Sequence, residues 1–392
     1  MLVITVHNNF FISFSPKIYA ILTSIKMYYG ATLLRIAIVH DALCTTGGAE
    51  RLLLWMAKAF PEAPLYTSVY LPQNTFEEYK GLNIRTLPLA GMVKSERQFK
   101  LLYPLWLMLL QQKNFDAYDV VLTSSTYLAK FIRPAQTVQH FCYLHAPFRL
   151  VWKPESYSQD SLPTRRAATW LVMRSLPLLQ RWDRKNTRKI PKLAANSQNI
   201  ANEIKKVYDM PAEIIYPPVE LPPPTPEVVK GDYYLSVSRL ISHKRVDLSV
   251  QACTGLKKNL VVVGEGPEKE NLKRIAGDTI HFVGRISDDE LNKLYRESKG
   301  LIFASHEDLG LIPLEAQAWG TPVIAFGKGG ALETIQEGIS GLFFQEQEVE
   351  SLTEAITKFE TQSFDSQLIR QWVSRFDPES FSHHLRQFVT GG

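Results

Sequence analysis

The sequence predicts an α/β protein of two doubly wound units, each a mainly parallel sheet covered by helices. Three observations lead there. Short apolar runs that read as buried strands alternate with helical patterns along most of the chain. The 392-residue length is past the roughly 250–300 residues at which one hydrophobic core stops growing. Six prolines fall among the ten residues from Pro217 to Pro226, a stiff, extended composition that suits a linker and not a core element.

Residues 1–33 read as an N-terminal extension. Its first 26 residues lack acids and are rich in Phe and Ile, but Asn8, Asn9, Ser13 and Pro16-Lys17 interrupt them, so they fit a secretory signal poorly. A disordered extension, sequence ahead of a start at Met27, and a weak membrane-touching segment all remain open. The first unit is expected over 34–216. It begins with a buried strand at 35–40, a loop carrying Gly47-Gly48, and an amphipathic helix over 49–60. Further strands are expected at 65–69, 84–87, 119–123 and 137–143.

The linker is placed at 217–230 and the second unit at 231–374. Strands there are expected at 233–237, 259–263, 279–283, 300–304 and 322–326, with helices from 245, at 268–276, at 288–298, at 313–319 and from 331. Ser287 with Glu290 forms a capping box. Pro313 suits the first turn of its helix and Gly320 the position past its end. Residues 375–392 are expected to form a terminal helix that packs back on the first unit.

Composition narrows the class. The 45% hydrophobic and 21% charged fractions fit a soluble globular protein. Cys44, Cys142 and Cys253 are scattered and odd in number, which offers neither a disulfide framework nor zinc spacing and suits a reducing compartment. The net charge of +5 permits contact with phosphates or anionic lipid. No nucleic-acid reading motif accompanies it, so nucleic acid is not expected as a partner. No window reaches the roughly 20 apolar residues of a membrane span. The nearest, 101–110, contains Pro104. A cytoplasmic protein is expected, peripheral at the inner face of the plasma membrane.

Open α/β sheets bind ligands beyond the carboxyl ends of their strands. In the second unit Arg239 follows the first strand, with Lys244 five residues later. Gly264-Glu265-Gly266 follows the second strand, Gly284-Arg285 the third, His306 to Gly310 the fourth, and Gly327-Lys328-Gly329-Gly330 the fifth. A glycine loop or a cation at every edge implies one shared site for an anionic ligand. Arg239 and Lys244 suit a diphosphate, Arg through paired hydrogen bonds and Lys as a point charge.

Glu307 and Glu315 stand eight residues apart around Gly310 and Pro313. With Glu307 on the loop and Glu315 in the first helical turn, the two acids can grip different parts of one polar molecule. The backbone around Gly310 and Leu311 then faces an anion. Taken alone, the pair would read as surface acids favoured by the helix dipole. Gly47-Gly48 offers amides to the same phosphates from the first unit. His145, at the end of the last clear strand of that unit, is placed to bond a sugar hydroxyl or to help hold charge in the cleft.

Two basic and aromatic stretches stand apart from this site. Nine Lys or Arg and one acid, Asp183, lie between Arg165 and Lys192, interleaved with Trp170 and Trp182. Lys94, Arg97 and Lys100 precede Tyr103 and Trp106. Both stretches suit an anionic membrane surface, and both equally fit ordinary amphipathic helices.

Several of these residues together resemble the retaining GT-B glycosyltransferases of family GT4, over about residues 34–390. They are Arg239 with Lys244, the Glu307 and Glu315 pair, Gly47-Gly48-Ala49-Glu50, Ala195-Asn196-Ser197 and Tyr216-Pro217-Pro218-Val219. The run from Tyr143 through His145, Pro147 and Arg149 to Trp152 is similar to the Y-x-H-x-P-x-R-x-x-W pattern of a bacterial mannosyltransferase subgroup of O-antigen and exopolysaccharide assembly.

The resemblance implies a GT-B architecture, two Rossmann-like doubly wound domains facing across a cleft. It also implies roles. Arg239 and Lys244 would neutralise the donor diphosphate, and Glu315 would bind the ribose. Glu307 would sit by the donor sugar and its anomeric region, and Gly310 and Leu311 would touch phosphate or sugar. His145 would contact the sugar from the first domain, and Gly47 and Gly48 would approach the phosphates. The implied reaction is retaining and metal-independent, with no D-x-D motif at a strand end and no cofactor. GDP-mannose is the favoured donor with UDP-sugars open, and the acceptor is a saccharide, free or polyprenyl-diphosphate-linked, in cell-surface polysaccharide synthesis. Leu309 departs from the aromatic residue frequent there. The alternatives are a nucleotide-sugar 2-epimerase of the same fold and a non-catalytic sugar-nucleotide-binding protein.

Overall fold

Ile36–His40 (β1) is apolar and almost wholly buried, as a central parallel strand must be when helices cover both faces. In the computed structural model, which describes residues 34–154, 166–223 and 229–391 without the side chains of 166–173, β1 lies in a seven-stranded sheet. Its companions are Leu65–Thr67 (β2), Ile84–Thr86 (β3), Val120–Ser125 (β4), Gln139–Leu144 (β5), Lys192–Ala195 (β6) and Glu213–Ile214 (β7). The order is β3-β2-β1-β4-β5-β6-β7, parallel throughout.

A second parallel sheet holds Tyr234–Val237 (β8), Leu260–Val263 (β9), Ile280–Gly284 (β10), Gly300–Phe303 (β11), Val323–Phe326 (β12) and Gly341–Phe344 (β13), in the order β10-β9-β8-β11-β12-β13. Both sheets belong to one compact unit, Ile36–Gly392. Each sheet reverses its strand order once, between β1 and β4 and between β8 and β11. At such a reversal neighbouring loops leave in opposite directions and open a crevice.

The expected strands are present, with ends shifted by a residue or two. Strands β6, β7 and β13 were not anticipated. Lys-Leu-Ala-Ala is short and poor in β-branched residues, β7 has two residues, and β13 opens on a glycine. The Ser287–Glu290 capping box forms as expected.

The proline-rich stretch departs from its reading. Its opening residues are packed: Tyr216, Val219 and Leu221 join Leu309, Leu314, Ala318, Val373 and Phe376 in one apolar cluster. The Val219 amide donates to the Phe376 carbonyl at 2.9 Å. Apolar side chains between prolines can be buried wherever a neighbouring element supplies the partner, and Ser374–Phe376 does so here. Residues 224–228 lie outside the described residues.

The helix Pro378–Thr390 turns back and buries Phe381, Leu385 and Phe388 with Leu53 and Met56 of the Gly48–Ala59 helix and Phe141 of β5. Each such side chain contributes roughly 1.5–3 kcal/mol on burial.

The basic stretch at 165–192 is partly structural. Arg165 and the Trp170 side chain lie outside the described residues. Asp183, on the helix Arg166–Thr187, is 1% exposed and anchors a polar cluster. Lys130 reaches it at 2.7 Å, the Tyr208 hydroxyl donates to it at 2.7 Å and the Trp152 indole at 2.6 Å. Burial alone would lower the Lys130 pKa, but Asp183 and Tyr208 outweigh it and hold the ammonium charged. Trp182 packs on Phe131 with ring centroids 4.5 Å apart. Arg184 and Arg188 donate to the carbonyls of Val207 and Tyr208. In the second stretch Trp106 is fully buried, while Met92, Leu101 and Met108 are exposed.

Candidate functional site

The reversal between β8 and β11 gathers the expected donor residues. Leaving β8, the chain runs through Ser238-Arg239-Leu240, and Leu240 is pinned on both sides. Its amide donates to the Glu265 carbonyl at 2.9 Å, and its carbonyl accepts from the Glu268 amide at 3.0 Å. Gly264 makes this possible. It has φ +136°, and a Cβ there would stand 1.8 Å from the Ser238 carbonyl oxygen. After β12, Gly330 plays the same part. A Cβ on it would lie 2.1 Å from Leu309 Cα, and its amide donates to the Glu307 carbonyl at 2.9 Å. These glycine turns therefore brace the loops bearing Arg239 and Glu307. Backbone packing thus accounts for the absence of a side chain at Gly264 and Gly330.

Arg239 is exposed, and its guanidinium has no hydrogen bond or ion pair among the described residues. Lys244, in the short turn Ser242–Lys244, forms an ion pair with Glu307. Both side chains are largely buried, at 16% and 24% exposure, so solvent screens the pair little.

The helix expected at 313–319 is Leu311–Ala318, with Gly310 as its N-cap at φ +88°. Pro313 is tolerated because the first four amides of a helix have no partner within it. Glu315 thus sits in the second turn, not the first. Its carboxylate accepts from the Tyr295 hydroxyl at 2.9 Å. Burial pushes its pKa up, while that hydrogen bond and the nearby Arg51 pull it down. Leu309 is 4% exposed and belongs to the core beneath this helix.

The facing wall is the start of the Gly48–Ala59 helix. A Cβ on Gly48 would meet Leu311 Cδ1 at 3.5 Å, so the two helix starts touch across the cleft. Asp41, after β1, accepts four amides, from Thr126, Tyr127, Leu128 and Ala129, at 2.6–2.8 Å, and so fixes the loop after β4. His145 is mostly buried. Its Nε2 is 2.8 Å from Ser124 Oγ, which also lies 3.1 Å from His40 Nδ1. Burial, and then His40, push its pKa down to about 3. Of the two roles expected for His145, this favours hydrogen bonding as a neutral ring over holding charge in the cleft.

Three contributors were given no role from the sequence. Asp308 forms an ion pair with Arg149, tying the two walls together. Glu333, on the short helix Ala331–Thr334, accepts the amides of Gln198 and Asn199 at 2.6 and 2.8 Å. It thereby caps the helix Gln198–Tyr208 of the first domain, a favourable place for an anion. Glu50 is 9% exposed, and burial, with Glu96 and Asp41, pushes it up to about 7 against the pull of its own amide and Arg239. The neighbour of Glu307 and the acid of the Gly-Gly-Ala-Glu run were the available signals for Asp308 and Glu50. Glu333 had none.

Comparison with known proteins agrees with this arrangement. The family model Glycosyltransferase Family 4 matches residues 46–221, and Glycosyl transferases group 1 matches 220–374. A glycogen synthase of Pseudomonas syringae pv. tomato is 32% identical over 33% of this chain and 28% of that protein. A GDP-mannose-dependent alpha-(1-6)-phosphatidylinositol monomannoside mannosyltransferase of Mycobacterium tuberculosis is 32% identical over 31% of this chain and 36% of that protein. The matches thus span about a third of those relatives. An alpha-1,3/1,6-mannosyltransferase of Homo sapiens is 24% identical over 88% of this chain and 93% of that protein.

Among solved structures, Anabaena HepE in complex with UDP superposes with a TM-score of 0.66 at 16% identity, covering 92% of this chain and all of that one. A sucrose-phosphate synthase of Thermosynechococcus elongatus gives 0.68 at 17% identity, covering 91% of this chain and 98% of that one. At such identities the likeness shows the fold. With the two family regions in tandem over residues 46–374 and two Rossmann-like domains in the GT-B arrangement, the chain belongs to the family 4, group 1 glycosyltransferases.

Proposed function

We propose that this protein is a retaining, metal-independent glycosyltransferase that moves a hexose from a nucleoside diphosphate sugar to a saccharide acceptor. One observation carries the reading. Arg239, unpaired among the described residues, and the Lys244–Glu307 pair stand at the strand-order reversal, opposite the Gly47-Gly48 helix start.

Transfer requires negative charge to grow on the departing diphosphate while the anomeric carbon turns cationic. Arg239 and Lys244 stabilise the first, together with the positive ends of the two facing helices. That supply of charge is what makes a metal dispensable in this reading. Lys244 turns to the phosphate when donor arrives, which frees Glu307 for the sugar hydroxyls and anomeric region. Glu315, tethered by Tyr295, serves the ribose. Gly310 and Leu311 offer backbone to phosphate or sugar. His145 meets the sugar as a neutral hydrogen-bonding group through the nitrogen that Ser124 leaves open. In a retaining step the acceptor oxygen bonds to the anomeric carbon on the face the diphosphate leaves, and the leaving phosphate takes the acceptor's proton.

The GDP-mannose-dependent relative supports GDP-mannose as donor, the human mannosyltransferase supports mannose as the sugar, and UDP in HepE supports the UDP-sugar alternative. A thermal-shift panel of nucleotide sugars decides, because a ligand that binds the folded state stabilises it by mass action. GDP-mannose is expected to give the largest upward shift. A shift with UDP-sugars alone moves the donor assignment, and no shift with any of them overturns the function.

We further propose a polyprenyl-diphosphate-linked acceptor, met at the inner face of the plasma membrane. The support is an exposed apolar set, Leu89, Met92, Leu101 and Met108, in a stretch that also carries Lys94, Arg97 and Lys100. Among the described residues no helix is long and apolar enough to cross a membrane. The protein is expected to float with liposomes containing anionic lipid, and failure to float removes the membrane from the reading.

A further inference from the structure

Glu50 holds a place that the transfer chemistry above does not use. It is the third residue of the Gly48–Ala59 helix, and its carboxyl folds back over Gly47, where a Cβ would lie 2.7 Å from Oε2. No ion pair engages it among the described residues. Its charged and titratable surroundings are Asp41, already bound by four amides, and Glu96, paired with Lys100 at 2.7 Å. Cys44 and Tyr79 also face it. Burial pushes the Cys44 thiol up to about 12 and raises Tyr79 as well, so neither titrates near neutrality. Arg51, next in sequence, is paired with Glu78. Among the described residues, the cation whose charge pulls the Glu50 pKa down is Arg239 of the second domain.

A carboxylate here would face the phosphates that the proposed donor brings between Gly47, Gly48 and Arg239, anion against anion. We propose that Glu50 engages the donor diphosphate as the neutral acid, donating its proton in a hydrogen bond, so that donor binding takes up one proton at Glu50. This rests on the donor assignment above. Burial, Glu96 and Asp41 already lift the group to about 7. A bound diphosphate lifts it further, by adding negative charge and by engaging Arg239.

The direction follows. Below neutrality the acid is already present and binding takes up nothing. Above it the proton must be added, and affinity falls by up to about tenfold per pH unit, the limit for one proton. The phosphates of a nucleotide sugar are diesters and do not titrate in this range.

Calorimetry of the full chain with GDP-mannose and UDP-glucose, at about pH 6 and about pH 8 in buffer pairs of different ionisation enthalpy, counts the proton directly. The count is expected to be near zero at the lower pH and close to one at the higher. In Glu50→Gln it is expected to vanish and the affinity profile to flatten. A merely structural role would alter thermal unfolding and leave the proton count alone. Binding without uptake at the higher pH overturns the inference by itself, and so does unchanged uptake in the variant. The wild-type count decides if Glu50→Gln does not fold. No binding of either nucleotide sugar overturns the donor assignment and the inference with it.

Discussion

Arg239 and Lys244 reach the same strand end in different states, one unpaired among the described residues and one held by Glu307. Removing either takes away a fixed positive charge from the place where the leaving group gains its negative one. Arg239→Ala and Lys244→Ala are each expected to lower turnover by about 10²–10³, the scale of losing one preorganised stabilising group, with melting temperature little changed in Arg239→Ala and lowered in Lys244→Ala, which leaves Glu307 without its cation. Normal steady-state turnover in a folded double variant would sink the diphosphate assignment. Glu50 carries a second expectation. Its folded pKa of about 7 lies above the unfolded 4.5, so stability falls as pH rises through that window. Glu50→Gln is therefore expected to stabilise the protein at about pH 8 by up to roughly 3 kcal/mol, at 1.4 kcal/mol per pKa unit, and hardly at about pH 4. Denaturant melts at the two pH values check this. What the sequence made legible at this scale was residue type plus strand-end position, which sufficed to place Arg239, Lys244 and Glu307 beside the strand-order reversal and Gly48 at a helix start. It could not show that burial and the neighbouring His40 push the His145 pKa down. Nor could it pair Arg149 with Asp308, 159 positions away.

Elements were legible where local pattern and tertiary demand agree. The apolar runs of β1, β4, β8 and β9 read correctly, and the Asp288–Glu297 helix announced itself through its cap. The Leu311–Ala318 helix starts two residues before its expected place because Gly310, not Pro313, sets its beginning. Strands β6 and β7 borrow their structure from neighbours rather than from propensity. The Arg166–Thr187 helix fitted either a membrane surface or an ordinary amphipathic helix, and the Asp183 cluster supplies a core face that ties it to the turn after β4. Lys130→Met would leave a buried carboxylate without its cation and is expected to cost about 3–5 kcal/mol. Adding Asp183→Asn should recover a large part, because a neutral amide keeps hydrogen-bonding capacity without the charge. Equilibrium unfolding of the single and double variants reads both, and equal losses in the two would show that the charge is not what matters.

Across the whole molecule, Arg149–Asp308 and the Glu333 cap join the two walls of the cleft. Arg149 is 45% exposed, so solvent weakens its pair with Asp308. Arg149→Asp is expected to lower kcat/KM by about fivefold, near 1 kcal/mol. Combining it with Asp308→Arg should restore most of that loss. A double variant no better than the single would mean that the pair does not set how the domains meet.

The returning helix Pro378–Thr390 has a consequence for biosynthesis. Because Phe381, Leu385 and Phe388 complete the apolar layer over Met56 and Phe141, the domain that leaves the ribosome first is the one finished last. Until then its nascent sheet carries an uncovered greasy face, and chaperone occupancy during translation should track that interval.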